Sequence, residues 1–186
     1  MHIFPLSLSS PQPTDASTST DVPTLRALLV NPSSSTQIFV ALNNATYLSK
    51  ALTTPLERIH ELDWWDERLL RVSLPSTTDG TAVNAEVQLS CTPSQHVSGR
   101  SAFDRWRALW AAWVVEDLHS HKKVYFAGDT GYRTVRDGED EEKAPVCPAF
   151  AEVGERFGGV DVALLPIGYG SRLTVVHAQN SCRFIS

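Results

Sequence analysis

No apolar run in this 186-residue chain approaches the roughly 18 residues that a membrane-spanning helix needs. Nor does the N-terminus pair a basic segment with a long apolar one, as a secretory signal does. Cysteine is scarce: Cys91, Cys147 and Cys182 are an odd number, far apart, with no Cys-x-x-Cys among them. That argues against a disulfide framework and for a reducing compartment. The expected location is cytoplasmic, or peripheral on an intracellular membrane, so contact with a membrane surface stays among the partner classes. Basic patches are missing as well. A formal net charge of -5 and the absence of a basic stripe remove the electrostatic case for nucleic acid. The phosphate-cradling Gly-x-x-x-x-Gly-Lys-Ser/Thr does not occur. Part of the acidity lies in one run, residues 139–142, which reads as a solvated loop.

What is present is an ordinary globular composition, 42% hydrophobic and 20% charged, long enough for one domain with a real core. Residues 7–24 are rich in Ser, Thr and Pro, with almost no large apolar side chain after Leu8. Such a stretch buries too little to order itself, and residues 1–20 are expected to form a disordered or atypical lead-in. Leu25, Leu28 and Leu29 then recur at helical spacing, with Asp21 and Thr24 as candidate N-caps and Asn31-Pro32 as the stop. Residues 37–41 predict a strand and 59–66 a strand running into a turn, with a short helix through Tyr47 and Leu48 between them. That turn, Asp63-Trp64-Trp65-Asp66, is acidic and aromatic. Alternation over 85–91 predicts another strand. Residues 109–115 are ambiguous: Trp106, Trp110 and Trp113 fit a helical stripe, whereas 110–115 fits a buried strand. The polar link from Asp117 to Lys123 favours a hairpin. A helix is predicted from Pro148 to the pair Gly158-Gly159. The fully apolar stretch 160–166 predicts a last buried strand. Strands and helices in alternation predict an α/β layered fold with its chemistry at strand ends.

The stretch 124–132 stands out. Val124 to Ala127 read as a buried strand, and Gly128 and Gly131 bracket Asp129 and Thr130, so one carboxylate sits at a strand end. The plain alternative is an Asx turn closing a strand. Asp-Thr-Gly is also the aspartic-protease signature, but that dyad needs two such loops and the chain has one. Two more strand ends carry polar chemistry: His96 after 85–91, and Gly168-Tyr169 after 160–166. Imidazole and carboxylate on neighbouring loops suit zinc. The tryptophans are most simply core, with a lipid-facing groove as the alternative.

Six segments occur in one order: 61–65 (Glu-Leu-Asp-Trp-Trp), 93–100 (Pro-Ser-Gln-His-Val-Ser-Gly-Arg), 109–115, 125–132 (Tyr-Phe-Ala-Gly-Asp-Thr-Gly-Tyr), 150–158 and 161–168. Together they resemble the N-acylphosphatidylethanolamine-hydrolysing phospholipase D branch of the metallo-β-lactamase superfamily. The resemblance runs from about residue 21 to 168 and implies an α/β fold, part of an αβ/βα sandwich. The domain portion is then 21–170, followed by an atypical tail, 171–186. It implies a site for two zinc ions, makes 109–115 a strand, and makes an N-acylated phospholipid the substrate. Carried over residue by residue, His96 matches a histidine on the first zinc. Asp129 matches the bridging aspartate, and so is the candidate catalytic residue. His177 is the candidate for the last histidine, though closer to Ile167 than the family spacing. The family's His-x-His-x-Asp-His motif has no counterpart; its place is held by residues 13–20, which contain no histidine. Three functions are therefore expected in competition: a zinc phosphodiesterase releasing N-acylethanolamine and phosphatidate, a non-catalytic remnant with an incomplete metal site, and a related metallo-hydrolase with another ester or phosphodiester substrate. Part of a sandwich also leaves a sheet face to cover, which predicts pairing with another chain, such as a second copy.

Overall fold

The computed structural model describes residues 3–6, 22–29, 36–75, 82–95, 109–128, 130–132, 140 and 143–165. Two sheets stand face to face. The smaller has the order β1-β2-β3, with β1 (Ile3–Leu6), β2 (Gln37–Ala41) and β3 (Ile59–Leu62) all parallel. The larger has the order β4-β5-β6-β7-β8. Its strands β4 (Glu67–Pro75), β5 (Ala82–Pro93), β6 (Ala111–Asp117) and β7 (Lys122–Phe126) pair antiparallel, and β8 (Val162–Leu164) joins β7 in parallel.

Strand alternation sorts the side chains into layers. Phe39, Ala41 and Leu62 of the small sheet meet Leu70, Val72, Leu89, Cys91, Ala111 and Trp113 of the large one in the central core. Ile38, Val40 and Ile59 point the other way, against Leu25 of α1 (Val22–Leu29) and Leu48 and Leu52 of α2 (Ala45–Leu52). On the far side, Ala112, Val114, Tyr125, Ala127 and Ala163 pack under Val153 of α3 (Pro148–Phe157). The layers run helix, sheet, sheet, helix: the expected αβ/βα sandwich. Residues 111–115 are apolar without alternation because both faces of β6 are covered, Ala111 and Trp113 inward, Ala112 and Val114 outward. The strand reading of this segment holds and the helical stripe does not; Trp110 and Trp113 are core.

Local chemistry fixes the ends of the helices. Helix α1 begins at Val22, directly after Asp21, the earlier of the two candidate caps, and not after Thr24. Its Arg26 guanidinium donates through Nε to the Ala51 carbonyl in the last turn of α2, where a cation is favourable. Asn44 does not cap α2; its Nδ2 donates to Ala41 O at 2.8 Å, and Glu61 Oε1 of β3 accepts the Ala45 N–H instead. Pro148 opens α3, and Gly158 closes it at φ 66° with its N–H on Gly154 O.

Two expectations are corrected. The strands at 124–127 and 160–166, predicted to be buried, are half covered: Val124 is 36%, Val162 41% and Leu164 52% exposed. Among the described residues the large sheet is two strands wider than the small one, so the inward face of β7 and β8 extends past its cover while Tyr125 and Ala163 lie under α3. Neither β4 nor β1 was anticipated from the sequence; Ile3–Leu6, within the expected lead-in 1–20, pairs with β2.

Candidate metal centre

The parallel sense shared by β5 and β7 brings their C-terminal ends to one edge of the large sheet, with β6 between them. Strands two places apart in a sheet are roughly 9–10 Å apart, too far for direct contact. Here the chain ahead of β6 moves away toward the small sheet: Leu109 N–H donates to Leu42 O at 3.0 Å, and Trp64 Nε1 donates to Trp110 O at 2.7 Å. The two loops close over the vacated place. Thr130 Oγ1 accepts the Gln95 N–H at 2.8 Å, and its hydroxyl lies 3.4 Å from Gln95 O, to which it donates. Gly131 N–H donates to the same carbonyl at 2.8 Å. Residue 95 directly precedes His96, and residue 130 directly follows Asp129.

His96, Asp129 and His177 themselves lie outside the described residues, as do Trp106 and Gly168-Tyr169. Among the described residues no group of three or more His, Cys, Asp or Glu side chains is arranged to hold a metal ion. The described groups near this edge are structural. Cys91 is buried between the sheets, and burial, followed by the Asp63 and Asp66 carboxylates, pushes its thiol up to about 12. A thiol so held stays protonated and is neither nucleophile nor ligand at neutral pH. Burial likewise raises the Tyr125 phenol, with the neighbouring Thr92 hydroxyl pulling the other way. His60 stacks on Phe39 at 4.9 Å and its Nε2 sits 2.8 Å from Gln37 Oε1. Burial and then the Arg68 charge lower its pKa, which suits a neutral packing residue.

The sequence marks the turn after β3 only as acidic and aromatic, and the structure gives it a job. It crosses from one sheet to the other, with Trp65 N–H on Cys91 O at 2.7 Å and Cys91 N–H on Asp66 O at 2.9 Å. Trp65 then lies under the Arg156 guanidinium of α3, 4.0 Å from ring centre to Cζ. The pairing of Thr130 with Gln95 also escapes a reading of the sequence; its only trace there is a small polar residue flanked by glycine.

Helix–sheet–sheet–helix layering with polar loops at the ends of β5 and β7 defines a class, and the match to a family model agrees with it. Residues 14–181 match the beta-lactamase superfamily domain, and the chain belongs to that superfamily. Among curated proteins it is 32% identical over 113 residues to the mitochondrial N-acyl-phosphatidylethanolamine-hydrolyzing phospholipase D of Saccharomyces cerevisiae, a match covering 60% of this chain and 19% of that protein. It is also 32% identical over 82 residues to N-acyl-phosphatidylethanolamine-hydrolyzing phospholipase D 1 of Caenorhabditis elegans, covering 44% and 19% respectively. An uncharacterised protein of Mycobacterium tuberculosis shows 32% identity over 114 residues, covering 61% of this chain and 22% of its own. The matches span about a fifth of the length of these relatives.

Proposed function

We propose that the protein is a zinc-dependent phosphodiester hydrolase of the phospholipase D type, which releases N-acylethanolamine and phosphatidate from N-acylphosphatidylethanolamine. The activity that names the yeast and worm relatives supports the substrate class. The observation that carries the site is the hydrogen-bonded junction of residue 95 with residues 130 and 131, which flank His96 and Asp129. The donor types fit: imidazole from His96, a carboxylate able to bridge from Asp129, and a second imidazole from His177. Zinc, when bound, lowers the pKa of water and offsets charge building on the phosphate. The chain's own contribution is to hold the ligand loops together at one sheet edge. No described helix is long and apolar enough to cross a membrane.

The test is zinc content per purified chain, paired with hydrolysis of vesicles containing N-acylphosphatidylethanolamine. Zinc retained after dialysis and lipid turnover are expected, with both His96→Ala and Asp129→Asn inactive. Near-normal turnover by either variant would remove the site assignment. Hydrolysis of a soluble phosphodiester but not of the lipid would point to another branch of the superfamily. A second reading, a chain that binds without catalysis, is favoured by one fact: His-x-His-x-Asp-His occurs nowhere in the 186 residues. A purified chain devoid of zinc and activity would select it.

A further inference from the structure

We propose that Thr130 is a positioning residue for the metal site, acting through its hydroxyl on the loop that carries His96; this rests on the zinc reading above. Thr130 is only 7% exposed. Its Oγ1 engages both polar backbone groups of one residue, accepting from Gln95 N–H at 2.8 Å and donating to Gln95 O at 3.4 Å. The Gly131 N–H completes the set on Gln95 O at 2.8 Å. These bonds join two loops that the sheet itself cannot join, because β6 lies between β5 and β7. Among the described residues no strand pairing joins these two loops directly.

Chain connectivity does the rest. Adjacent Cα atoms are about 3.8 Å apart, so fixing residue 95 against residue 130 fixes the starting points of His96 and Asp129 relative to each other. Two ligands on separate loops bind an ion weakly when the loops must be ordered by the ion itself, and more tightly when the protein has already ordered them. The side chain has the right chemistry for this. A hydroxyl both accepts and donates, whereas an isosteric methyl does neither. Replacing it by Val keeps the shape but leaves the Gln95 N–H without its acceptor.

The experiment is a calorimetric titration of the metal-free full chain with zinc, for wild type, Thr130→Val and Thr130→Ser, with cobalt(II) absorption spectra and thermal unfolding in parallel. Thr130→Val is expected to bind zinc about tenfold or more weakly, as when a group supporting a metal ligand is removed. Its cobalt spectrum should change shape, and its unfolding temperature in the absence of metal should fall only modestly, by what one lost buried hydrogen bond explains. Thr130→Ser should restore both affinity and spectrum. Equal affinity in Thr130→Val and wild type would overturn the positioning role and leave the metal reading standing. Failure of wild type to bind zinc would overturn the metal reading and this role with it. Should Thr130→Val not fold, hydrogen exchange of the Gln95 amide in the metal-free wild type decides: protection before zinc is added upholds a pre-ordered junction, and protection that appears only with zinc overturns it.

Discussion

The two ends of the large sheet are made of similar residues and meet different surroundings. At the β4–β6 end, Leu89, Cys91 and Trp113 are sealed against Phe39 and Leu62 of the small sheet. At the β7–β8 end the same face is open. One pairing row shows the change: Trp113, Phe126 and Leu164 are register partners in β6, β7 and β8, and they pass from fully buried to half-buried to exposed. Val115, Val124 and Val162 repeat the trend one step along. Hydrophobicity in the sequence thus reports that a face is apolar; the width of the opposing sheet decides whether it is covered.

Mutating that row sharpens the contrast. Trp113→Ala should cost about 3–5 kcal/mol, the usual range for emptying a buried tryptophan site. Phe126→Ala, half-buried, should cost roughly 2 kcal/mol. Leu164→Ala should stay within about 0.5 kcal/mol, as surface changes do. Urea unfolding of the three variants measures the gradient. A loss at Leu164 as large as that at Trp113 would mean the open end is covered in solution, by a second copy or another partner.

A smaller, pH-dependent effect tests the sealed end from the side of the small sheet. His60 packs on Phe39 with its pKa lowered, so the unfolded chain takes up a proton more readily than the folded one. Stability from this group is full above the unfolded value of about 6.5 and declines as pH falls toward the folded value. His60→Gln should flatten that part of the stability–pH curve. An unchanged slope below pH 6.5 would show that His60 is as free to protonate in the fold as out of it.

Much of this fold is legible in the sequence, and what is not follows a pattern. The sequence marks β2, β3 and β5 by apolar runs or alternation, the β6–β7 hairpin by its polar link, and α3 by Pro148 and Gly158. The strand β4 escapes because Glu67, Arg68 and Arg71 interrupt its apolar residues, although Leu70 and Val72 alternate inward as a half-covered strand should. The burial of β7 and β8 is misjudged because sheet width depends on pairing between distant segments, which local pattern does not encode. At the candidate site, residue type and family resemblance point to His96 and Asp129. The junction of Thr130 with Gln95 is invisible, since it joins positions 35 residues apart through one hydroxyl.

The sealed thiol of Cys91 gives the molecule an internal clock. With its ionisation pushed up to about 12 and its sulfur 3.8 Å from the Leu62 carbonyl, it should react with alkylating reagents only when the two sheets part. Each labelling event therefore records a moment when the sheets part. Cys147, partly exposed at the start of α3, should react without such an opening and, in a chain carrying Cys182→Ser, supplies the reference rate in the same tube. The ratio of the two rates reads out how often the sandwich breathes, and a zinc ion that braces the loops at its edge would slow the one and leave the other untouched.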